Sequence, residues 1–252
     1  MISIRNLWKR YGNTQVLQGL NLEVAQGEIL VILGRSGVGK SVLLRHIMGI
    51  EKPDRGEIFI NDIEVTSDHP HLIKNMGMLF QGSALFDSMT IGENAAFYLQ
   101  QHGDPRTGKP IPSSCIREKV SQALTMVGLA GKEEEMPANL SGGMRKRAAL
   151  ARLIVYRPSI LLYDEPTTGL DPITAKQINE LILTTQKELR GTSIIVTHDM
   201  LSAFYLADRL ALHQDGKIAH LADPKTFLKI DDPTIQMLKE SLKLYTENDR
   251  PH

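Results

Sequence analysis

The distribution of apolar and polar positions divides the chain into segments of different period. Ile2, Ile4 and Leu7, then Val16 to Val24, alternate apolar with polar residues and are bounded by Gly12-Asn13 and Gln26-Gly27, which predicts antiparallel strands. Ile29 to Leu33 is a continuous apolar run, the pattern of a strand buried on both faces. Glycine-rich Gly34 to Gly39 follows it, and then a helix is predicted from about Lys40 to Met48. Glu57 to Ile60 and Met76 to Phe80 read as further strands.

From Thr90 to about Val155 the period is helical, with one break at Gly103-Asp104-Pro105-Arg106-Thr107-Gly108-Lys109-Pro110. Ile160 to Tyr163 and Ser193 to Val196 return as short buried strands, separated by a helix from about Pro172 to Leu189. Arg209 to His213 and Lys217 to Leu221 form a hairpin around Asp215-Gly216. After Pro224 the chain is helical, with Ile235, Leu238, Leu242 and Tyr245 along one face. That face either caps the chain's own sheet or reaches across to a second copy. The order is β, α/β, all-α, α/β, tail, so the helical block is an insertion into an α/β core.

Composition narrows the classes. The chain has 252 residues, with 29 Lys plus Arg against 29 Asp plus Glu, and this balance leaves no global basic field for nucleic acid. Its single cysteine, Cys115, cannot close an internal disulfide and suits a reducing compartment. Met1 to Arg5 reads as a strand and not as a signal peptide. The longest apolar runs are strand-sized, whereas a helix crossing a bilayer needs about 20 apolar residues. A membrane role is therefore expected only through a partner.

Chemistry concentrates at strand ends. Gly34-Arg35-Ser36-Gly37-Val38-Gly39-Lys40-Ser41 fits G-x-x-x-x-G-K-[ST] between a predicted strand and a predicted helix. Its glycines let successive backbone N–H groups curl around phosphate oxygens, and the new helix adds its positive end. Lys40 is placed to reach the β- and γ-phosphates and Ser41 to hold Mg²⁺. Ile160 to Tyr163 ends in Asp164-Glu165, two carboxylates at the edge where open α/β sheets place ligands. Asp164 suits the Mg²⁺ shell, and Glu165 suits the base that orients the attacking water. No Asn-Lys-x-Asp occurs, so the guanine-reading element of small GTPases is missing. Leu140-Ser141-Gly142-Gly143-Met144 then supplies a helix N-cap with exposed glycine amides, a second anion-binding helix terminus.

With these motifs in this order, residues 1 to 222 resemble the ATP-binding-cassette ATPases. The resemblance implies a P-loop NTPase fold: a RecA-like sheet with an antiparallel β layer (1–89 and 157–223), an inserted α-helical signature subdomain (90–156) and a helical tail (224–252). It makes Gly34 to Ser41 the Walker A loop, Asp164 and Glu165 the Walker B pair, and Ser141 to Gly143 the signature. It implies that Tyr11 stacks on adenine, that Gln81 senses Mg²⁺ and the attacking water, that Gly169-Leu170-Asp171 is the D-loop, and that His198 is the switch histidine. Taken alone, Tyr11 could pack on the β layer as a turn aromatic, Gln81 could be a solvated strand end, and His198 a core histidine. The family mechanism implies two cassettes closing head to tail on ATP and Mg²⁺, Ser141 and Gly143 of one chain meeting Lys40, Glu165 and His198 of the other.

Met144 stands at the fifth signature position, followed by Arg145-Lys146-Arg147. That run and Phe80-Gln81-Gly82-Ser83-Ala84-Leu85-Phe86-Asp87-Ser88-Met89-Thr90 are similar to the ATPases of Mla-type, MCE-associated phospholipid transporters. The resemblance implies a multi-spanning permease and an MCE-domain partner, with the chain peripheral on the cytoplasmic face of the inner membrane. Arg145 to Arg147 would also suit a solvated helix face, and Leu85-Phe86 local packing instead of a permease-docking groove. An importer or exporter ATPase for another substrate is the alternative. A soluble cassette ATPase of repair or translation fits less well, since a single cassette with an uninterrupted helical block is present. A protein that binds ATP without cleaving it would be expected to lack Glu165 or His198.

Overall fold

The computed structural model describes residues 1–105 and 107–247; the side chains of residues 241 and 243–247 are outside the description, and with them Tyr245 of the expected tail face, as is Arg106 of the expected loop. In chain order the elements are β1 (Ile2–Tyr11), β2 (Thr14–Val24), β3 (Ile29–Leu33), α1 (Lys40–Ile47), β4 (Arg55–Ile60), β5 (Ile63–Glu64), α2 (Pro70–Lys74), β6 (Met76–Leu79), α3 (Ile91–His102), α4 (Ser113–Met126), α5 (Gly142–Ile154), β7 (Ile160–Asp164), α6 (Pro172–Leu189), β8 (Thr192–Thr197), α7 (Met200–Leu206), β9 (Arg209–Gln214), β10 (Lys217–Ala222), α8 (Pro224–Phe227) and α9 (Pro233–Glu247).

Two sheets form. β2-β1-β4-β5 is antiparallel throughout, and β10-β9-β3-β8-β7-β6 is parallel except where β10 returns along β9. The period-two geometry of a strand divides the larger sheet's side chains between two cores. Leu30, Ile32, Ile160, Leu162, Ile194 and Val196 face a core shared with the antiparallel sheet and α1. Val31, Leu33, Leu161, Tyr163 and Ile195 face the other, shared with α3 to α7. Each such side chain contributes about 1.5–3 kcal/mol by leaving water. Buried on both faces, these strands need unbroken apolar runs, which is why β3 and β7 were visible as such.

The helical block lies between β6 and β7 in the chain. Its entry is set by a capping box in which Thr90 Oγ1 accepts from the Glu93 amide and Glu93 Oε2 accepts from the Thr90 amide. The expected single break at 103–110 is joined by a second. Residues between α4 and α5 leave the helix, with Gly128 at φ +72° and a short 3₁₀ turn at Pro137–Asn139. Here the apolar spacing of Val127 and Leu129 continues while the backbone departs from helix, so periodicity alone missed the interruption. α2, α7 and β5 are additional short elements with too few residues to establish a period. At the tail, Ile235 is fully buried and Leu238 and Leu242 pack on the α-helical side of the core of their own chain. Among the described residues no helix is long and apolar enough to cross a membrane.

Candidate nucleotide site

Four adjacent parallel strands, β3-β8-β7-β6, release their C-terminal ends at one edge of the sheet. β3 leads into the glycine loop, β8 into His198, β7 into Asp164-Glu165, and β6 toward Gln81. Residues far apart in sequence thus line one cavity of about 300 Å³, including Tyr11, Ser36, Gly37, Gly39, Lys40, Ser41, Gln81, Glu165, Thr168 and His198. Gly39 starts α1 at φ +105°, and a Cβ there would fall 2.5 Å from Val16 Cγ1, so only glycine closes this turn against β2. Arg35, Ser36 and Gly37 are exposed along the loop, while Gly34 and Val38 are half-buried beneath it.

Glu165 is the hub. It is 6% exposed and held at φ +49°, a left-handed conformation that a glutamate adopts only under constraint. Its Oε1 lies 3.3 Å from Lys40 Nζ. Its Oε2 lies 2.8 Å from His198 Nδ1 and accepts from Thr168 Oγ1 at 3.0 Å and Thr197 Oγ1 at 3.3 Å. Lys40 also donates to the Gly34 and Arg35 carbonyls, at 2.7 and 3.0 Å. Both Lys40 and Glu165 are buried and paired, as buried charges must be.

Ser41 Oγ donates to Asp164 Oδ1 at 2.7 Å. Burial pushes the Asp164 carboxyl up from its ordinary value, with the Glu165 charge adding to this and Ser41 and Lys40 opposing. A hydroxyl and a carboxylate side by side are oxygen donors suited to Mg²⁺, which commonly takes one or two protein ligands and completes its shell with phosphate and water. Among the described residues no cluster of three or more His, Cys, Asp or Glu side chains could hold a metal by itself. Tyr11 is 41% exposed on the cavity wall, its hydroxyl donating to Glu51 Oε1 at 2.5 Å and the Lys9 ammonium 5.4 Å from its ring centroid.

The signature residues lie elsewhere. Ser141 caps α5 through the Met144 amide. With Gly142, Gly143, Leu170 and Asp171 it lines a second cavity, which shares no residue with the first. Asp171 caps α6, accepting from the Ile173 and Thr174 amides and from Thr174 Oγ1, and the Thr174 hydrogen bonds hold its carboxyl below the ordinary range. Within one chain, then, the residues expected to touch ATP fall into two separate groups.

Thr168 and Thr197, which donate to Glu165, were not foreseen, nor were Lys146 and His213 beside the site. Lys146 reads as part of a solvated basic run, yet it is 5% exposed and donates to the Gln81 carbonyl. Its spacing with Ala149, Leu150 and Leu153, at i, i+3, i+4 and i+7 on a buried face, was the available signal. His213 at the end of β9 is 2% exposed and lies against Gly34 and Gly39, and among the described residues neither of its ring nitrogens has a partner. Leu85 packs against the core, while Phe86 is 42% exposed, so the expected apolar docking pair is divided between inside and outside.

A sequence profile of the family described as ABC transporter matches residues 17–168. The chain is 37% identical over 228 residues to the Fe(3+) ions import ATP-binding protein FbpC of Photorhabdus laumondii, covering 90% of this chain and 63% of that protein. It is 35% identical over 239 residues to the probable ribonucleotide transport ATP-binding protein mkl of Mycobacterium leprae, covering 93% and 67%. The chain thus spans roughly two thirds of the length of these curated relatives, and slightly less for FbpC. Among solved structures it is similar to the dimeric structure of MJ0796, a bacterial ABC transporter cassette, with TM-score 0.80, 30% identity, and 88% of this chain and 98% of that one covered. It is also similar to cbiO1 from Clostridium perfringens, part of the ABC transporter complex cbiONQ, with TM-score 0.79, 29% identity, and coverage of 97% and 96%.

Proposed function

This chain belongs to the ABC transporter family, and from that premise we propose that it binds and hydrolyses ATP as the motor subunit of a transporter whose membrane-spanning part is a separate permease. The observation that carries the reading is the fourfold hold on Glu165. A carboxylate aimed into the phosphate cavity by Lys40, His198, Thr168 and Thr197 is positioned as the base for an attacking water. Phosphoryl transfer depends mainly on such positioning and on electrostatics.

In this reading the amides of Gly34 to Ser41 bind the phosphates, with Lys40 turning from Glu165 toward the β- and γ-phosphate oxygens. Glu165 orients the water and takes its proton at a carboxylate oxygen, His198 fixes that carboxylate, and the Gln81 side chain faces the same water. Tyr11 offers its ring to the adenine. Ser41 and Asp164 would hold Mg²⁺, which would supply charge neutralisation on the transferred group. Because Ser141 to Gly143 and Asp171 line a separate cavity, two copies are needed, each supplying these residues to the ATP held by the other. The helical block 90–156 is then the arm that carries the signature, and the chain sits on the cytoplasmic face of the inner membrane through its permease.

The cargo we propose is phospholipid, moved with an MCE-domain partner; Met144, the run Arg145 to Arg147 and the segment Phe80 to Thr90 support it. A second reading, another small substrate, is favoured by the relatives named for iron import and ribonucleotide transport. Purified chain given Mg²⁺ and ATP is expected to release phosphate, and chelating Mg²⁺ should stop it. Glu165→Gln should abolish release while a nucleotide-bound dimer accumulates on size-exclusion chromatography. Wild-type turnover in that variant would overturn the assignment of the base. Purification of the intact complex from native membranes decides the cargo: an MCE-domain subunit supports lipid, a periplasmic solute-binding subunit the second reading.

A further inference from the structure

Helix α5 begins at the signature cap Ser141 and runs past the loop that follows β6. Two of its cations hold that loop by its main chain. Lys146, 5% exposed, donates to the Gln81 carbonyl. Arg152 donates from Nη1 to the Ala84 carbonyl at 2.6 Å and from Nη2 to the Ser83 carbonyl at 3.2 Å, and its guanidinium lies 5.7 Å from the Phe86 ring centroid. Three of the four carbonyls from Gln81 to Ala84 are therefore tied to one helix. Ser83 and Ala84 both sit in the left-handed region, at φ +64° and +49°, a conformation that persists only where its surroundings hold it.

Lys146 has a second relationship that Arg152 lacks. Burial lowers its pKa from the ordinary lysine value, and the charges of Asp164 and Glu165 pull in the opposite direction, so its ammonium is within electrostatic reach of both site carboxylates. The Gln81 residue is exposed and lines the nucleotide cavity, while its carbonyl is gripped from the helix side. A solvated basic run would produce none of these contacts.

We propose that Lys146 is a positioning residue that fixes the Gln81 backbone to the signature helix, so that a displacement of Ser141 at the start of α5 is felt at Gln81 in the nucleotide cavity. Gln81 lines the nucleotide cavity and Lys146 is not among the residues that do, so Lys146 acts through Gln81. This rests on the reading of the chain as an ATPase. It gives the signature of one chain a direct mechanical link to the catalytic cavity of that same chain, separate from its contact with the partner's ATP.

The test uses the full chain with Lys146→Met, Lys146→Arg and Lys146→Gln. Lys146→Met keeps the length and removes the donor, and kcat for ATP should fall about tenfold to a hundredfold, the scale expected of misplacement by up to about 1 Å. KM should stay within about twofold, because no ATP contact is removed. Amide hydrogen exchange across residues 81–85 should rise while that of β3 and β7 does not. Lys146→Arg, which retains a charged donor, should recover most of the rate. A kcat equal to wild type in Lys146→Met, or a loss that only parallels a fall in melting temperature, overturns the proposal. If Lys146→Met does not fold, Lys146→Gln is measured instead. Its neutral amide ends one bond short of the ammonium, so kcat should fall severalfold and exchange across residues 81–85 should rise, and a wild-type kcat with raised exchange overturns the proposal. The wild-type chain is measured alongside: if it releases no phosphate the ATPase reading fails, whereas turnover in wild type matched by Lys146→Met sinks only the positioning role.

Discussion

The Lys40 ammonium lies 3.3 Å from the Glu165 carboxylate, with both side chains under a tenth exposed. The loop lysine and the Glu165 carboxylate therefore hold each other as a buried ion pair, and neither is tolerable alone. Removing one member of such a pair is costly because the other charge stays buried. Lys40→Met should destabilise the chain by about 3 kcal/mol, toward the low end for such losses because His198, Thr168 and Thr197 still serve Glu165. Adding Glu165→Gln to Lys40→Met should return much of that stability, since the orphaned charge goes with it. Denaturant unfolding of the two single variants and the double variant measures the coupling. Additive losses would show that the pair is not energetically joined.

The parts of this site that were legible in the sequence are those whose signal is local. Gly34 to Ser41 carries its own backbone requirement, and Asp164-Glu165 stands at the end of an apolar run, so strand, turn and helix were readable without tertiary information. The order of the strands, which gathers Gln81 and His198 onto the same cavity, is a long-range property that no local pattern carries. Lys146 was missed because a run of three basic residues reads as solvated unless helical phase is followed residue by residue. His213 was missed for a different reason. Its strand, Arg209–Gln214, looks like any buried strand, and only the pairing of β9 beside β3 brings it under the glycine loop. The second break in the helical block shows the converse case, where apolar spacing continues through backbone that is not helical.

His213 makes acid sensitivity a specific expectation. Burial, with Lys40 adding repulsion, lowers its pKa from 6.5 to about 4. The folded chain therefore keeps the ring neutral while the unfolded chain takes up a proton below about pH 6.5. Protons bound preferentially by the unfolded state favour unfolding, so stability falls as pH drops from about 6.5 toward 4 and gains nothing further from this group above that window. The full shift corresponds to about 3 kcal/mol. His213→Met, which fills the same space without titrating, should flatten this part of the stability–pH curve. Chemical denaturation at several pH values between 4 and 7 checks it, and an unchanged slope in the variant would assign the acid lability to other groups.

Leu85 and Phe86 are neighbours in sequence with opposite fates, and this separates docking from folding. Leu85 packs against the helical-side core, whereas Phe86 is 42% exposed, with its ring 4.8 Å from that of Phe97 and within 5.7 Å of the Arg152 guanidinium. An exposed aromatic beside partly buried apolar neighbours is the arrangement expected where a partner's apolar residue is received. Phe86→Glu places a carboxylate near Arg152, where its charge can be met, so the fold should lose less than about 1 kcal/mol. Association with the proposed permease, read by co-purification of the membrane subunit from native membranes, should nevertheless be lost. Leu85→Glu forces a charge against apolar side chains and should cost about 2 kcal/mol or more, lowering the yield of folded protein before any docking is measured. Thermal melts of both variants beside the co-purification separate the two effects. If Phe86→Glu retains the membrane subunit at wild-type level, the permease docks elsewhere on the chain.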